Sequence, residues 1–229
     1  MSKKETKNRY NLIDILRGIA VICMIIYHTV WDLVYLFGVE IPLFRTSAAH
    51  IFQQYILWSF VIISGFCAYM GKRSVKRSAV TLGASIVLSI VTFIVMPDAP
   101  VIFGVLTFLG TAMLVTGALK KLLSNIRYYI GLPVSALLFI LTYNVPEGNL
   151  GFGKMVITEL PPQLYANYTT AFFGFPQEGF ASSDYVPLLP WIFLYLFGFF
   201  LFDLLKSRDW LKQLSVTKIP LIEWLGRHA

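Results

Sequence analysis

Charge is what this chain has least of. Lysine, arginine, aspartate and glutamate together make up 14% of its 229 residues, where a water-soluble domain carries about 25%. With 57% hydrophobic residues it lacks the charge to cover a water-facing surface, which excludes an ordinary soluble fold. Cysteine is nearly absent as well. Cys23 and Cys67 each fall inside an apolar run, which excludes a disulfide-stapled scaffold and reads as two small buried hydrophobes. Three histidines scattered along the sequence form no metal-ligand pattern, so no metal is expected. Neither a phosphate-cradling glycine loop nor a nucleic-acid motif is present. A cleavable signal peptide is not expected either. The first apolar run is too long, contains Asp14 and Arg17, and is not followed by a small-residue cleavage site.

Long apolar runs are what the chain does have. A helix needs about 20 mostly apolar residues to cross the hydrocarbon core. Read with that window, the sequence predicts spans near 12–36, 49–70, 79–96, 101–119, 126–143 and 186–205. The expected architecture is all-α, a polytopic transmembrane bundle forming one membrane-embedded domain over 1–229. Pro97-Asp98-Ala99-Pro100 reads as a tight turn between the third and fourth spans.

The net charge of +7 sits in alternate connections. Basic residues occupy the N-terminus (Lys3, Lys4, Lys7, Arg9), the second connection (Lys72, Arg73, Lys76, Arg77), the fourth (Lys120, Lys121, Arg127) and the tail (Lys206, Arg208, Lys212, Lys218). The others hold few, such as Arg45 and Lys154. Short basic loops face the cytoplasm, so the N-terminus is expected inside, in a multi-pass protein of the plasma membrane with the lipid bilayer as its first partner. The 144–183 connection is then exterior. Its aromatic residues, Tyr165, Tyr168, Phe172, Phe173 and Phe180 among them, suit either stacking on sugar rings or anchoring at the interface. The segment from Ile219 is too short to span. It reads as lying at the cytoplasmic interface or as preceding a further helix.

Ionisable groups inside spans are costly and tend to be functional. The first span holds four: Asp14, Arg17, His28 and Asp32. At about 100° per residue, Arg17 and His28 lie three turns plus roughly 20° apart, hence on one face and about 16 Å apart along the axis. Asp14 precedes Arg17 by one turn and Asp32 follows His28 by one, with Met24 on the same stripe and Trp31 beside it. His28 suits a general base, because burial and a nearby carboxylate tune its pKa, and Asp32 is placed to fix its tautomer. Arg17 offers a permanent forked cation for phosphate. The bland readings stand beside these: Asp14 and Arg17 as a snorkelling anchor, Asp32 as an interfacial residue, His28 as an interhelical hydrogen bond. Asp184 precedes Pro187 and Pro190 and reads as the N-cap of the sixth helix, or, with Ser182, Ser183 and Tyr185, as lining of the site's outer entrance.

The block IDILRGIAVICMIIYHTVWDL (13–33) resembles the opening helix of bacterial relatives of the heparan-alpha-glucosaminide N-acetyltransferase catalytic-domain family. Its Arg-x10-His spacing also resembles that of the acyltransferase type 3 family, with Arg17 and His28 in the two places. FVIISGFCAYMGKR (60–73), IFGVLTFLGTAML (102–114) and FFGFPQEGFASSDYVPLLPWIFLYLFG (172–198) extend the resemblance over most of the chain. Where many such relatives carry histidine, this chain has Thr107, and relatives continue past LGRHA into another apolar helix, so one or more C-terminal helices are expected to be lacking. The resemblance implies transfer of an acetyl or other acyl group from cytosolic acyl-CoA, with acetyl-CoA the first candidate, to an exterior sugar or other acceptor. It implies a catalytic role for His28, supported by Asp32, and donor handling by Arg17 with Asp14. Trp31, Asp184 and Tyr185 become candidates for acceptor contact. Two other function classes stay open, a proton-coupled transporter using the polar stripe as a relay, and a non-catalytic membrane scaffold.

Overall fold

The computed structural model describes residues 10–71, 74–215 and 219–228. The basic residues Lys3, Lys4, Lys7, Arg9, Lys72, Arg73 and Lys218 of the charge argument lie outside the described residues. Helices dominate: α1 (Asn11–Tyr35), α2 (Ser47–Met70), α3 (Ser74–Val95), α4 (Val105–Ala118), the single turn α5 (Lys120–Leu123), α6 (Tyr128–Thr142), α7 (Leu188–Ser207) and α8 (Pro220–His228). Five segments are long and apolar enough to cross a membrane, those of α1, α2, α3 and α7 and the stretch Tyr128–Glu147 that begins with α6; α4 is apolar but shorter. The expected all-α polytopic bundle is what forms.

At about 1.5 Å per residue, the 14 residues of α4 reach only about 21 Å, short of the hydrocarbon thickness of about 30 Å. The expected span began at 101, but residues 101–104 are extended instead. Their backbone donors are satisfied by side chains: Val101 N–H donates to Thr92 Oγ1 (3.0 Å), Ile102 N–H to Ser182 Oγ (3.0 Å), and Val105 N–H to Asp184 Oδ2 (3.0 Å). Irregular backbone at membrane depth survives only when satisfied in this way.

The chain forms two compact units. In the one containing residues up to Ile63 and from Leu205 onward, α1 packs on α8. The contact is backbone to backbone. A Cβ on Gly226 would lie 1.8 Å from Asp14 O, and one on Gly18 would lie 2.3 Å from Ile222 O, so only glycine permits this approach. Within α8, Glu223 accepts from Ile219 N–H (3.2 Å) and is buried, tying down the helix start.

The other unit, Ser64–Leu204, pairs α3 with α4 and centres on α7. Ser78 donates to Gly110 O (2.8 Å), Gly110 lies against Leu82, and Ser85 and Thr107 share a hydrogen bond of 2.6 Å. Tyr195, Phe199, Phe200 and Phe202 of α7 are all buried. Gly65 meets the Tyr195 carbonyl and Gly131 the Phe200 ring at distances that exclude a side chain. Lys120 donates to the carbonyls of Tyr69 (2.7 Å) and Gly71 (2.8 Å), closing the end of α2 as a cation does at a helix C-terminus; desolvation holds its pKa below the ordinary lysine value. The 144–183 connection is folded rather than open. It contains a short antiparallel hairpin, β1 (Asn149–Phe152) with β2 (Met155–Glu159), and three 3-10 turns.

Candidate functional site

The polar stripe is carried by α1, one unbroken helix over Asn11–Tyr35, so Arg17 and His28 stand eleven residues, or about 16 Å, apart along one rod. Its two halves are in different environments. At the N-terminal half, Ile13, Asp14, Ile15, Gly18 and Ala20 are buried. There Arg17 Nη1 lies 3.7 Å from Asp14 Oδ1 and donates to Gly226 O at 2.9 Å. A guanidinium has five donors in a rigid fork, and the carbonyl takes one.

At the C-terminal half, His28 is exposed together with Ile25, Ile26 and Thr29. The expectation of a buried histidine is therefore not met. The close contacts with α8 fall on the first turns of α1, around Asp14 and Gly18. The His28 ring is oriented nonetheless. Its Nδ1 lies 2.9 Å from Met24 O, and a carbonyl only accepts, so Nδ1 carries the hydrogen and Nε2 of the neutral ring keeps its lone pair. Tyr27 meets the imidazole edge-on at a centroid distance of 5.8 Å. Asp32 was expected to set the tautomer. Among the described residues no hydrogen bond joins it to His28, and the Met24 carbonyl holds that position. Trp31 lies tilted against Tyr35 at a centroid distance of 5.0 Å, on the same helix end as His28.

Asp184 reaches a helix other than the one that follows it in sequence. Its Oδ2 accepts from Val105 N–H and so caps α4, with its carboxylate against the space where a Cβ on Gly104 would be. Ser182 and Ser183 fasten the same strand of chain, the former accepting from Ile102 N–H and the latter donating to Ala99 O (3.0 Å). Tyr185 donates to Ala171 O at 2.5 Å. Burial pushes its phenol pKa well up, with a smaller contribution from Tyr165, so it is a hydrogen-bond donor and not a base. Rings of Phe103, Tyr168, Phe172, Phe180 and Tyr185 gather here, with Phe103 and Phe180 stacked at 6.3 Å. Phe103 holds a left-handed φ of 52°, an unusual conformation for a bulky residue. His50 is exposed, and the side chain of His228 lies outside the described residues. Cys23 and Cys67 form no disulfide among the described residues.

Two polar contacts went unremarked in the sequence. Tyr69 of α2 donates to Asp203 of α7 (3.2 Å), and an acid within an apolar helix was the same signal that singled out α1. Thr107, noted for standing where relatives carry histidine, bonds Ser85 across α3 and α4.

Helices of this length and apolarity define an integral, multi-pass membrane protein. The model of the heparan-alpha-glucosaminide N-acetyltransferase catalytic family matches residues 9–229, and the chain belongs to that family. Membership places it among acetyltransferase catalytic domains. Neither a curated protein nor a solved structure matches it.

Proposed function

We infer that this chain moves an acetyl group from cytosolic acetyl-CoA to a carbohydrate acceptor on the other side of the plasma membrane. The observation that carries the reading is the His28 ring. With Nδ1–H held by the Met24 carbonyl, Nε2 is free to take the proton of an acceptor hydroxyl or amine. The acceptor attacks the thioester carbonyl, its new bond to the acetyl carbon forms, the carbon–sulfur bond breaks, and the CoA thiolate leaves with the proton available from His28. Arg17 supports the donor end. Its guanidinium is a permanent forked cation suited to phosphate, and it stands 3.7 Å from the Asp14 carboxylate. The roughly 16 Å between the two residues is of the order of an extended phosphopantetheine arm. Trp31, at the His28 end of the same helix, is a surface suited to a sugar ring.

The test is acetyl-CoA binding by detergent-solubilised protein, alongside acetyl transfer. Arg17→Ala is expected to weaken binding, and Arg17→Lys to restore part of it. His28→Ala is expected to leave binding nearly intact and remove transfer. Wild type that binds no acetyl-CoA, or His28→Ala that still transfers, would overturn the reading.

A further inference from the structure

The β1–β2 hairpin is an apolar element with no protein covering its outer strand. All five residues of β2 are exposed, and Met155, Val156 and Ile157 are 59%, 55% and 56% exposed. Side chains of a regular strand alternate between two faces, and a strand with one wet face reads polar on that face. This one does not. A bulge opposite Leu150 and Gly151 leaves Ile157 without a partner residue, which breaks the alternation and turns the strand further. Three consecutive apolar side chains therefore stand open on an edge strand, an arrangement that in water invites aggregation.

The position of the hairpin resolves this. α6 and the turn after it form the apolar segment Tyr128–Glu147, and the hairpin folds back onto the end of that segment instead of projecting from it. Asn144 N–H donates to Gly151 O (3.2 Å), Asn144 Nδ2 donates to Gly153 O (2.9 Å), and the Phe152 ring packs on Tyr143 at 4.6 Å. The hairpin turn is thus level with residues 143–144, inside the apolar segment. Gly151 makes the doubling-back possible: its φ is 145°, and a Cβ there would meet Met155 O at 1.9 Å.

We propose that β2 is a membrane-interface anchor, seated among the lipid headgroups beside the end of α6, with Met155, Val156 and Ile157 reaching the acyl boundary. The outer edge of β2 keeps unpaired backbone groups, which hydrocarbon does not tolerate, so the strand lies at headgroup depth, where water still reaches those groups. Lys154 at the turn extends its ammonium to lipid phosphates while its stem lies along the apolar surface. The occupant is lipid and not a second protein strand, because the hairpin is fastened to residues 143 and 144 of an apolar segment on which Leu137 and Ile140 are also exposed.

Spin labels at Val156→Cys and, separately, Ile157→Cys test this, with Cys23 and Cys67 replaced by alanine. The full chain is reconstituted in vesicles of phosphatidylcholine and phosphatidylglycerol. Glu178→Cys, at an exposed loop residue, is the water-facing reference, and size-exclusion chromatography verifies each variant before labelling. The expected result is an oxygen-to-nickel-chelate collision ratio at 156 and 157 severalfold above that at 178, unchanged by protein-to-lipid ratio. A ratio equal to that of the reference overturns the proposal in favour of a water-facing hairpin. Spin–spin broadening that grows with protein density overturns it in favour of pairing between copies.

Discussion

Two apolar helices of this protein, α7 and α1, are alike in composition and opposite in use. Half of the most apolar window of α7 is buried within the protein, against 22% of that of α1. α7 is ringed by aromatic side chains and approached by Gly65 and Gly131 at distances no side chain survives. α1 is packed most closely at its start, where Gly226 and Gly18 let α8 lie against it, and its second half carries His28 on an exposed face. Stability is concentrated where packing is tight, and the proposed chemistry falls where a polar group stays reachable. Substitutions in the two helices should therefore fail in different ways.

The largest separation is expected between activity and stability at His28. If His28 is the general base proposed above, His28→Ala lowers acetyl transfer by about 10²–10⁴-fold. Its ring is exposed and its one hydrogen bond goes to a carbonyl in its own helix, so the melting point in detergent moves little, within about 0.5 kcal/mol. Gly65→Ala should do the reverse. The added Cβ would lie 1.9 Å from the Tyr195 carbonyl oxygen, and the obstacle is backbone, which no rotamer change relieves. The two helices must move apart, at a cost of about 3 kcal/mol or more, read as a lower unfolding temperature or loss of folded protein. A Gly65→Ala variant with wild-type stability would remove the basis of the comparison.

Gly226→Ala applies the same steric test to the lightly packed region. Its Cβ would lie 1.8 Å from Asp14 O, yet α8 is a nine-residue helix held by few neighbours. The expected outcome is local, about 1–3 kcal/mol, seen as faster amide exchange in α8 with the melting point of the Ser64–Leu204 unit kept. Arg17 loses the Gly226 carbonyl at the same time, so acetyl-CoA binding should be retained or tightened in this variant if that carbonyl competes with phosphate.

Which helix would be which was only partly legible in the sequence. The six apolar runs announced themselves through hydropathy, a local property, and each matches a helix within a few residues apart from the beginnings of the third and fourth. The spacing of Arg17 and His28 on one face followed from helical periodicity alone. What periodicity does not carry is the identity of a partner. Asp184 was read against the helix that follows it, whereas it caps a helix that starts 79 residues earlier; nothing local distinguishes the two. His28 was expected to be buried because a polar group in a span usually faces protein, and which face of a helix a partner covers is set by contacts far apart in sequence. The hairpin at 149–159 was missed because Met155, Val156 and Ile157 sit in a stretch read as loop, too short and too irregular at its bulge for an alternating pattern.

Asp184→Ala tests the non-local cap. The carboxylate satisfies the first backbone donor of α4. Its loss should cost about 0.5–2 kcal/mol, visible as earlier exchange of amides at 101–105, and Asp184→Asn should recover part of it because the amide oxygen still accepts.

The smallest effect concerns Tyr185, and it depends on pH. Burial keeps its phenol protonated in the folded chain far above the ordinary value, and its hydroxyl donates to Ala171 O. In the unfolded chain the group titrates near pH 10. Below that, both states hold the proton and the contribution to stability is complete. As pH rises past it, the unfolded chain releases a proton that the folded chain retains, so unfolding becomes easier with each increment. The expected signature is a decline in melting temperature between about pH 9 and 11 that is shallower in Tyr185→Phe than in wild type. Tyr165, whose pKa burial also raises, should retain its own part of the slope. Equal slopes in the two proteins would mean that the phenol is solvated in the folded chain and that its place among the aromatic rings is looser than the Ala171 contact implies.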